Sequence, residues 1–531
     1  MDITRRDMMK LGALGVAGAA GASQLPLGEI IEAQATPLLA LGNMPKLFTT
    51  PFMRPPVLRP THSRRNREGV MTDFFTVREG ARRARILPKH DTVIFGYNGM
   101  APGPTIKTHR GRPAVLRVIN QLPSRHPSLG QSTETSVHLH GSASLPQYDG
   151  YASDVTSRGW FKEYHYPNFQ PARTLWYHDH GFHHTAENAY AGLYAQYQMH
   201  DMAEQELMPQ GEFDVPLTVA DALFKFNGQL TIGDDTSGLW GNVILVNGRP
   251  WPVMNVKRRI YRFRFLVASI SRSYRFRLGN GDPVKVVGTD GGLMPKAQEV
   301  TTWRQASAER YEVLIDFRKY RAGQQVVLHN LSNPDNRDFA NTDKVMAFHV
   351  TDAPFSKKDH TWNHVDDNLV TAPVMNLREQ DATRTRRIAL ARTGGIWTIN
   401  GQTWEDVINS DFQLLLADPE LNATEIWELQ NSGGGWFHPL HIHLVDFKIL
   451  DRNGRPPFDY ELGPKDVAYL GEKETVRVLV KFGPHRGRYM VHCHNLVHED
   501  HDMMAQFAVG MEPGTRDPND PIDGAPPHRV P

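Results

Sequence analysis

Short runs of hydrophobic residues recur along the chain, and glycine and proline separate them at short intervals. The clearest runs alternate or are rich in β-branched and aromatic residues, as strands are: 113–120 (PAVLRVIN), 261–268 (YRFRFLVA), 311–317 (YEVLIDF) and 475–482 (TVRVLVKF). No long segment with a helical period competes with them. The pattern therefore predicts an all-β protein built from sandwiches or barrels.

An internal repeat underlies the strand pattern. Residues 114–181 contain a strand (AVLRVIN), then SVHLHG and then TLWYHDHG, while residues 425–495 contain a strand (EIWELQN), then HPLHIHL and then YMVHCHN. Each copy thus presents two His-x-His pairs, which indicates two copies of one β-domain. Residues 211–355 have the same strand texture without a His-x-His pair and predict a third copy.

The chain length and the repeat together predict the domain organisation. A chain of 531 residues suggests roughly three or four domains. We expect a first domain over 45–205, a second over 211–355 and a third over 388–515. Polar and charged residues crowd near 202–210 and across 356–387, and these two segments are the expected linkers.

The first 35 residues predict an export signal. Arg5 and Arg6 precede a short apolar run of small residues (LGALGVAGAAGA), the pattern of a twin-arginine signal peptide, with cleavage expected before Ser23 or Thr36. The run is shorter than the roughly 20 apolar residues that a membrane-spanning helix needs, so no membrane span is expected. The protein is therefore expected to be exported and to be periplasmic or secreted.

Composition and charge narrow the functional classes. Hydrophobic residues make up 40% of the chain and charged residues 22%, as in ordinary soluble globular proteins. The 59 lysines and arginines balance 58 acidic residues, which gives no reason to expect a nucleic acid or a membrane surface as partner. One cysteine cannot form an internal disulfide, so stability must come from cores and metals. The oligomeric state is not encoded in any visible pattern, and a monomer is expected.

The single cysteine, Cys493, stands in the segment HCHNLVHEDHDMM, between two histidines. Two imidazoles, one thiolate and a weak axial thioether form the ligand set of an electron-transfer copper, because soft sulfur and imidazole together suit both oxidation states. Cys493, His498 and Met503 supply three of these four ligands. The fourth must come from elsewhere in the chain, and His438 in WFHPLHIH is the candidate.

Four His-x-His pairs are the second candidate metal feature. On a strand, residues i and i+2 point to the same face, so each pair can converge on one metal while Cys493 points away from its two neighbours. Chance placement of 25 histidines predicts roughly one such pair. The matching places of the pairs in the repeat favour metal binding over ordinary core or surface histidines. The pairs are His138/His140, His178/His180, His441/His443 and His492/His494.

These motifs make the chain similar to the multicopper oxidases and, within that family, to the bilirubin oxidases. The similarity covers nearly the whole chain after the signal and includes GYNGMAPGPT, RTLWYHDH, AERYEV, WTINGQTWEDV, GWFHPLHIHLVDFK, GPKDV and HCHNLVHEDHDMM. Laccase-like spore-coat oxidases share the copper motifs but less of the intervening sequence. The resemblance implies three cupredoxin-like Greek-key domains, each a β-barrel or sandwich.

The resemblance also implies four copper ions, with the middle domain acting as a spacer between the two domains that bind them. No ligand position of the family pattern is missing in this sequence. The type 1 ligands would be His438, Cys493, His498 and Met503; the type 2 ligands would be His138 and His441; the type 3 ligands would be His140, His178, His180, His443, His492 and His494.

The function implied by the resemblance couples four one-electron oxidations of an organic donor to the reduction of dioxygen to two waters. The donors would be bilirubin or another tetrapyrrole, phenols or aromatic amines. Glu499 and Asp149 match acidic residues with which related oxidases deliver protons and tune the cluster; the alternatives are a surface glutamate and a turn aspartate. Trp436 either lines the donor site or packs beside it. Three further histidines are expected to have supporting or surface roles: His183, His184 and His501.

A cuprous or other metal-ion oxidase of copper tolerance is the main alternative. Such enzymes carry a methionine-rich insert near the type 1 site, whereas the 18 methionines here are dispersed and do not cluster in residues 350–420. A copper-sequestering protein would not need a cysteine between two histidines. A structural protein of the cell envelope with this fold would have lost its ligands.

Overall fold

The computed structural model describes residues 37–232, 237–354, 367–511, 517 and 519–530. Strands dominate this part of the chain and its helices are short, which confirms the all-β prediction. The predicted signal over 1–35 lies outside the described residues. Among the residues that are described, no helix is long and apolar enough to cross a membrane.

The first domain consists of two sheets around one apolar core, which includes Phe75, Leu116 and Tyr177. In spatial order, one sheet consists of Val57–Leu58, Thr105–His109, Tyr194–His200, Arg173–Asp179 and Val137–His140. The other consists of His62–Arg65, Met71–Ala84, Ala114–Asn120, Trp160–Tyr166 and His528–Arg529, with Thr92–Tyr97 also paired to Met71–Ala84. The strand His528–Arg529 thus joins the first domain although it follows the third along the chain.

The second domain repeats this plan around a core rich in aromatic rings, which includes Phe263, Trp303 and Phe348. In spatial order, its larger sheet consists of Arg249–Pro250, Val243–Val246, Asp214–Ala222, Ile260–Val267, Arg310–Asp316, Val284–Thr289 and Gly292–Val300. The smaller sheet consists of Val253–Lys257, Lys344–Thr351, Gln325–Asn330, Tyr274–Leu278 and Trp303–Gln305.

The third domain also has two sheets, with Trp427, Leu440 and Val478 in the core between them. In spatial order, one sheet consists of Ile396–Ile399, Arg384–Thr393, Thr424–Asn431, Thr475–Lys481 and Phe447–Arg452. The other consists of Val467–Leu470, His438–Ile442, Gly487–Cys493 and Met504–Val509. The four strands predicted most clearly from hydrophobic runs are all present and begin within one residue of the prediction: Ala114–Asn120, Ile260–Val267, Arg310–Asp316 and Thr475–Lys481.

Helical segments serve as short connectors between strands. The helix Trp404–Asn409 begins at a capping box, in which the Thr403 hydroxyl accepts from Asp406 N and the Asp406 carboxylate accepts from Thr403 N. The other α-helices in the described part of the chain are Thr185–Ala191, Met202–Leu207 and Leu496–Asp500. Turns of 3-10 helix occupy Leu41–Asn43, Pro146–Tyr148, Gly211–Phe213, Phe317–Lys319, Pro373–Asn376, Glu379–Asp381 and Asp459–Glu461.

The strands that carry the His-x-His pairs are paired in the same way in the first and third domains. His138 lies opposite His178 in an antiparallel pair, and His441 lies opposite His492. The strands Arg173–Asp179 and Gly487–Cys493 are buried at every residue, unlike the half-exposed strand Trp160–Tyr166. Both faces of these strands are therefore covered, as occurs where a second layer packs on a sheet.

Candidate metal centre

The sulfur of Cys493 forms a buried triangle with two histidines. Cys493 ends the strand Gly487–Cys493, His438 begins the neighbouring strand, and His498 lies in the helix Leu496–Asp500. Cys493 Sγ lies 3.3 Å from Nδ1 of His438 and 3.7 Å from Nδ1 of His498, and the two nitrogens are 3.2 Å apart. One sulfur and two imidazole nitrogens in this arrangement match a trigonal copper site.

Met503 is fully buried and belongs to the same apolar cluster as Cys493. Its backbone ties the segment together, because Cys493 N donates to Met503 O at 3.1 Å and Met503 N donates to His498 O at 2.9 Å. Burial raises the pKa of the Cys493 thiol, so a bound cation is needed to favour the thiolate at neutral pH. The four residues predicted for this site therefore lie together in one enclosed place.

Tryptophan rings surround His498. Trp397 stacks on the His498 ring with centroids 4.0 Å apart, and Trp436 meets the same ring edge-on at 5.1 Å. Trp240, from the second domain, stacks with Trp436 at 5.7 Å. Nε2 of His498 donates to the carbonyl of Ser237 at 3.0 Å, which leaves the lone pair on Nδ1 directed at Cys493. Trp436 is only partly buried, so it forms part of the surface beside this site.

The eight histidines of the four pairs form a second, larger cluster in which every ring is at most 1% exposed. It divides into groups of three whose ligand atoms lie within 4.8 Å of one another. Two of these groups have no member in common, and each draws on both the first and the third domain. They are His140 with His178 and His494, and His180 with His443 and His492; His138 forms a further group with His441 and His443.

One ring nitrogen of several of these histidines has no partner among the described residues. Nδ1 of His441 and Nδ1 of His178 each donate to a backbone carbonyl at 2.8 Å, and Nδ1 of His138 also faces a carbonyl oxygen. Nε2 of each of the three is buried without a hydrogen-bond partner. Burial lowers the pKa of His178 to about 3, so its imidazole is neutral and offers a lone pair. A buried neutral imidazole whose Nδ1 is held by a carbonyl and whose Nε2 has no hydrogen-bond partner is suited to bind a metal through Nε2.

In the group of His180, His443 and His492, the Nε2 atoms of all three rings point toward one place. Nε2 of His492 lies 3.1 Å from Nε2 of His180 and 3.1 Å from Nε2 of His443. Burial lowers the pKa of His180 to about 4, so this ring too is neutral at physiological pH. A neutral imidazole carries only one N–H, so the three rings cannot satisfy all these short contacts by hydrogen bonds to one another. A metal ion bound by all three nitrogens explains the arrangement better.

Glu499 and Asp149 lie behind these rings, and neither is at the surface, being 1% and 2% exposed. Glu499 Oε2 lies 2.8 Å from Nδ1 of His492, and Asp149 Oδ2 lies 2.7 Å from Nδ1 of His443. Burial raises the pKa of Asp149 well above its usual range. Burial alone would also raise the pKa of Glu499, but the neighbouring His492 and His180 outweigh it and lower that pKa.

Two further polar groups contact the cluster and were not predicted from the sequence. Asp466 Oδ1 lies 3.1 Å from Nε2 of His140, and Ser307 Oγ lies 3.3 Å from Nδ1 of His494. The only sequence signal for them was their place in or near the motifs GPKDV and AERYEV, which carry no metal ligand. Among the additional histidines, His183 bonds through Nδ1 to the Asp500 carbonyl at 3.1 Å.

Comparison with known proteins gives concordant matches along the chain. Three family models described as multicopper oxidase match residues 80–204, 189–353 and 378–513. The chain is 42% identical to a bilirubin oxidase of Albifimbria verrucaria over 493 residues, which cover 88% of this chain and 82% of that protein. It is 34% identical to a laccase of Bacillus subtilis (strain 168) over 477 residues, covering 79% and 90%. A crystal structure of a laccase from Pediococcus acidilactici superposes with a TM-score of 0.76 at 29% identity, covering 89% and 95%.

Proposed function

This chain belongs to the multicopper oxidase family, copper-containing oxidoreductases of three cupredoxin-like domains that use dioxygen, and on that premise we propose the reaction it performs. We propose that it couples four one-electron oxidations of an organic donor to the reduction of dioxygen to two waters. The proposed donors are bilirubin or other tetrapyrroles, phenols and aromatic amines. The observation that carries the proposal is the position of Cys493, whose sulfur belongs to one cluster while both flanking histidines belong to the other.

The proposal assigns four copper ions to the two clusters. When bound, copper supplies the one-electron redox chemistry at the Cys493 site and at the histidine cluster. The separate groups of three histidines support a pair of type 3 ions, and the unpaired Nε2 atoms of His138 and His441 support a type 2 ion. The proposed ligands are His438, Cys493, His498 and Met503 for type 1; His138 and His441 for type 2; and His140, His178, His180, His443, His492 and His494 for type 3.

The separation of the two clusters has a chemical purpose. A bulky donor needs to approach only the Cys493 site. His492 and His494 are the residues next to Cys493 in the chain, so they connect this site to the histidine cluster. The histidine cluster is buried, so solvent and donor are kept from it. Dioxygen reduction can then proceed without release of partly reduced oxygen.

The tryptophans beside His498 support an aromatic donor. Trp436 is partly exposed, and its ring is supported by the buried ring of Trp240, which stacks with it. Aromatic rings bind other planar rings by stacking, with a preference that exceeds their buried area alone. We propose that donors stack on Trp436 and give up electrons toward the ring of His498.

Asp149 and Glu499 are proposed to supply protons to the histidine cluster. Their pKa values move in opposite directions, because burial raises the pKa of Asp149 while the neighbouring His492 and His180 lower the pKa of Glu499. Two carboxyl groups that differ in this way can divide the roles of proton donor and proton acceptor. Both lie within 3 Å of a ring nitrogen of the cluster.

A cuprous or other metal-ion oxidase remains the second candidate, and one experiment separates the two. Oxygen uptake is measured side by side with bilirubin, a methoxyphenol and cuprous ion. The proposal predicts faster uptake with the organic donors. A rate with cuprous ion far above both organic donors would replace the proposed donor class with a soft metal ion.

We also propose export by the twin-arginine route, because Arg5 and Arg6 precede a short apolar run. The matched test replaces both arginines with lysine, which keeps the charge. The variant should remain inside the cell while the parent protein reaches the periplasm or medium. Equal export of both proteins would contradict this assignment.

A further inference from the structure

We infer that the middle domain takes part in the histidine cluster, because Arg310 of that domain positions Asp466 against two of the proposed copper ligands, His140 and His441. The inference rests on the proposed function, since it assigns a role toward the type 2 and type 3 sites. Arg310 and Asp466 are then positioning residues, and the second domain does more than separate the first domain from the third.

Arg310 reaches all three domains at once. Its Nη1 and Nη2 bind the two carboxylate oxygens of Asp466, in the third domain, at 2.7 and 2.5 Å. Its Nε donates to Thr174 O, in the first domain, at 2.9 Å. The two remaining N–H groups donate to Ala308 O and Asp290 O, within the second domain. All five guanidinium donors are therefore used, which no other side chain could reproduce.

Asp466 transmits this constraint to the ligands. Its Oδ1 accepts from Nε2 of His140 at 3.1 Å, and its backbone carbonyl accepts from Nδ1 of His441 at 2.8 Å. The nitrogens left without a partner are Nδ1 of His140 and Nε2 of His441, and both are buried. Asp466 thus decides which nitrogen each ring turns toward the cluster, as groups behind metal-binding histidines commonly do.

The local packing leaves little freedom for another arrangement. Gly141 follows His140 with φ +88°, and a Cβ at this position would lie 2.6 Å from Nη2 of Arg310 and 2.7 Å from Oδ2 of Asp466. Arg310 and Asp466 are both fully buried. A buried ion pair holds its geometry only while both partners are present, because either charge alone is strongly disfavoured in the interior.

Ser307, three residues before Arg310, provides an independent contact from the same domain. Its Oγ lies 3.3 Å from Nδ1 of His494, whose Nε2 is buried without a partner. The strand Arg310–Asp316 and the loop before it thus orient ligands that come from the first and third domains. Removal of this hydroxyl changes a single contact and leaves the buried ion pair intact.

The test compares Arg310→Lys and Arg310→Met with the parent protein. Lysine keeps the charge but cannot bind both carboxylate oxygens as the guanidinium does, so Arg310→Lys should retain part of the type 2 and type 3 copper. Arg310→Met also loses the charge and should retain the least of this copper. Copper per chain, the electron paramagnetic resonance signal of type 2 copper and the near-ultraviolet band of the type 3 pair are measured. The blue type 1 band should stay within about 2-fold of the parent value in both variants.

The matched control is Arg264→Lys. Arg264 is a fully buried arginine of the same domain that binds the two oxygens of Asp214 at 2.7 and 3.0 Å. If Arg310 were merely a structural link, both lysine variants would lower the melting temperature and lose type 1 and cluster copper in parallel. That result, or unchanged cluster signals in Arg310→Met, would overturn the inference.

Ser307→Ala keeps the inference testable if the Arg310 variants do not fold. It should shift the type 3 band or raise the KM for dioxygen without lowering the melting temperature or the blue band. Unchanged type 3 spectra and an unchanged KM for dioxygen would count against a role of the second domain. A parent protein that lacks blue colour would instead refute the proposed function, so the two failures are distinguishable.

Discussion

Asp149 and His443 come from different domains, yet Oδ2 of the first lies 2.7 Å from Nδ1 of the second. The same aspartate offers its backbone carbonyl to Nδ1 of His138, which lies opposite His178 in the first domain. One turn residue therefore orients rings that converge from two sides of the interface. The proposed proton donor and the geometry of the cluster therefore depend on the same residue.

Asp149→Asn should separate these two tasks. The amide keeps the size of the side chain but cannot release a proton, so turnover should fall by about 10²-fold or more. The blue band should remain, because Asp149 does not contact Cys493 or its neighbours. Steady-state oxygen uptake and absorption spectra check both expectations. Asp446→Asn is the control, since that carboxylate binds Arg173 and no histidine; equal turnover in the two variants would argue against a proton role.

Trp436→Ala should weaken donor binding without affecting dioxygen. Loss of about 1 kcal/mol of stacking corresponds to a KM for aromatic donors that is about 5-fold higher. Trp436→Phe should restore most of the affinity, because phenylalanine keeps a ring at the surface. Trp160→Ala is the control, because that tryptophan is 36% exposed on the first domain, away from His498. A donor KM that does not change would place the donor elsewhere.

Glu79 predicts a pH dependence of stability that is unrelated to copper. Burial raises its pKa from 4.5 to about 8, even though Thr135 Oγ1 donates to it at 2.7 Å. Between these two values the folded protein holds a proton that the unfolded chain has lost, so the free energy of unfolding falls as pH rises. The loss amounts to about 1.4 kcal/mol for each pH unit and ends above the folded pKa.

Glu79→Gln removes this titration and keeps a hydrogen-bonding side chain. The variant should match the parent protein near pH 4.5 and be the more stable of the two at pH 8 and above. Denaturant unfolding at several pH values measures the difference. Glu163→Gln, at a partly exposed position of the same sheet, should give a difference that does not depend on pH in this window. A pH-independent difference for Glu79→Gln as well would contradict a raised pKa.

Much of the architecture could be predicted because its signals are local. The hydrophobic run at Ala114–Asn120 and the His-x-His spacing are properties of a few neighbouring residues, and a strand turns i and i+2 to one face whatever surrounds it. The candidate triangle of Cys493, His438 and His498 could be anticipated because the ligand types themselves indicate copper.

The remainder depends on how three domains pack, which no local pattern encodes. Nothing near Asp466 in the sequence indicates that Arg310 would meet it, since 156 positions separate them. The division of the histidines into groups also follows from the interface, because each group takes rings from both domains. The stack of Trp397 on His498 is another contact between distant segments.

The most direct test of the account is the absorption spectrum and copper content of the purified protein beside those of Cys493→Ser. The account predicts a blue parent protein with about four coppers per chain, and a colourless variant that keeps copper in the histidine cluster but does not oxidise organic donors. A colourless parent protein, or a serine variant that stays blue or continues to oxidise the donor, would contradict it.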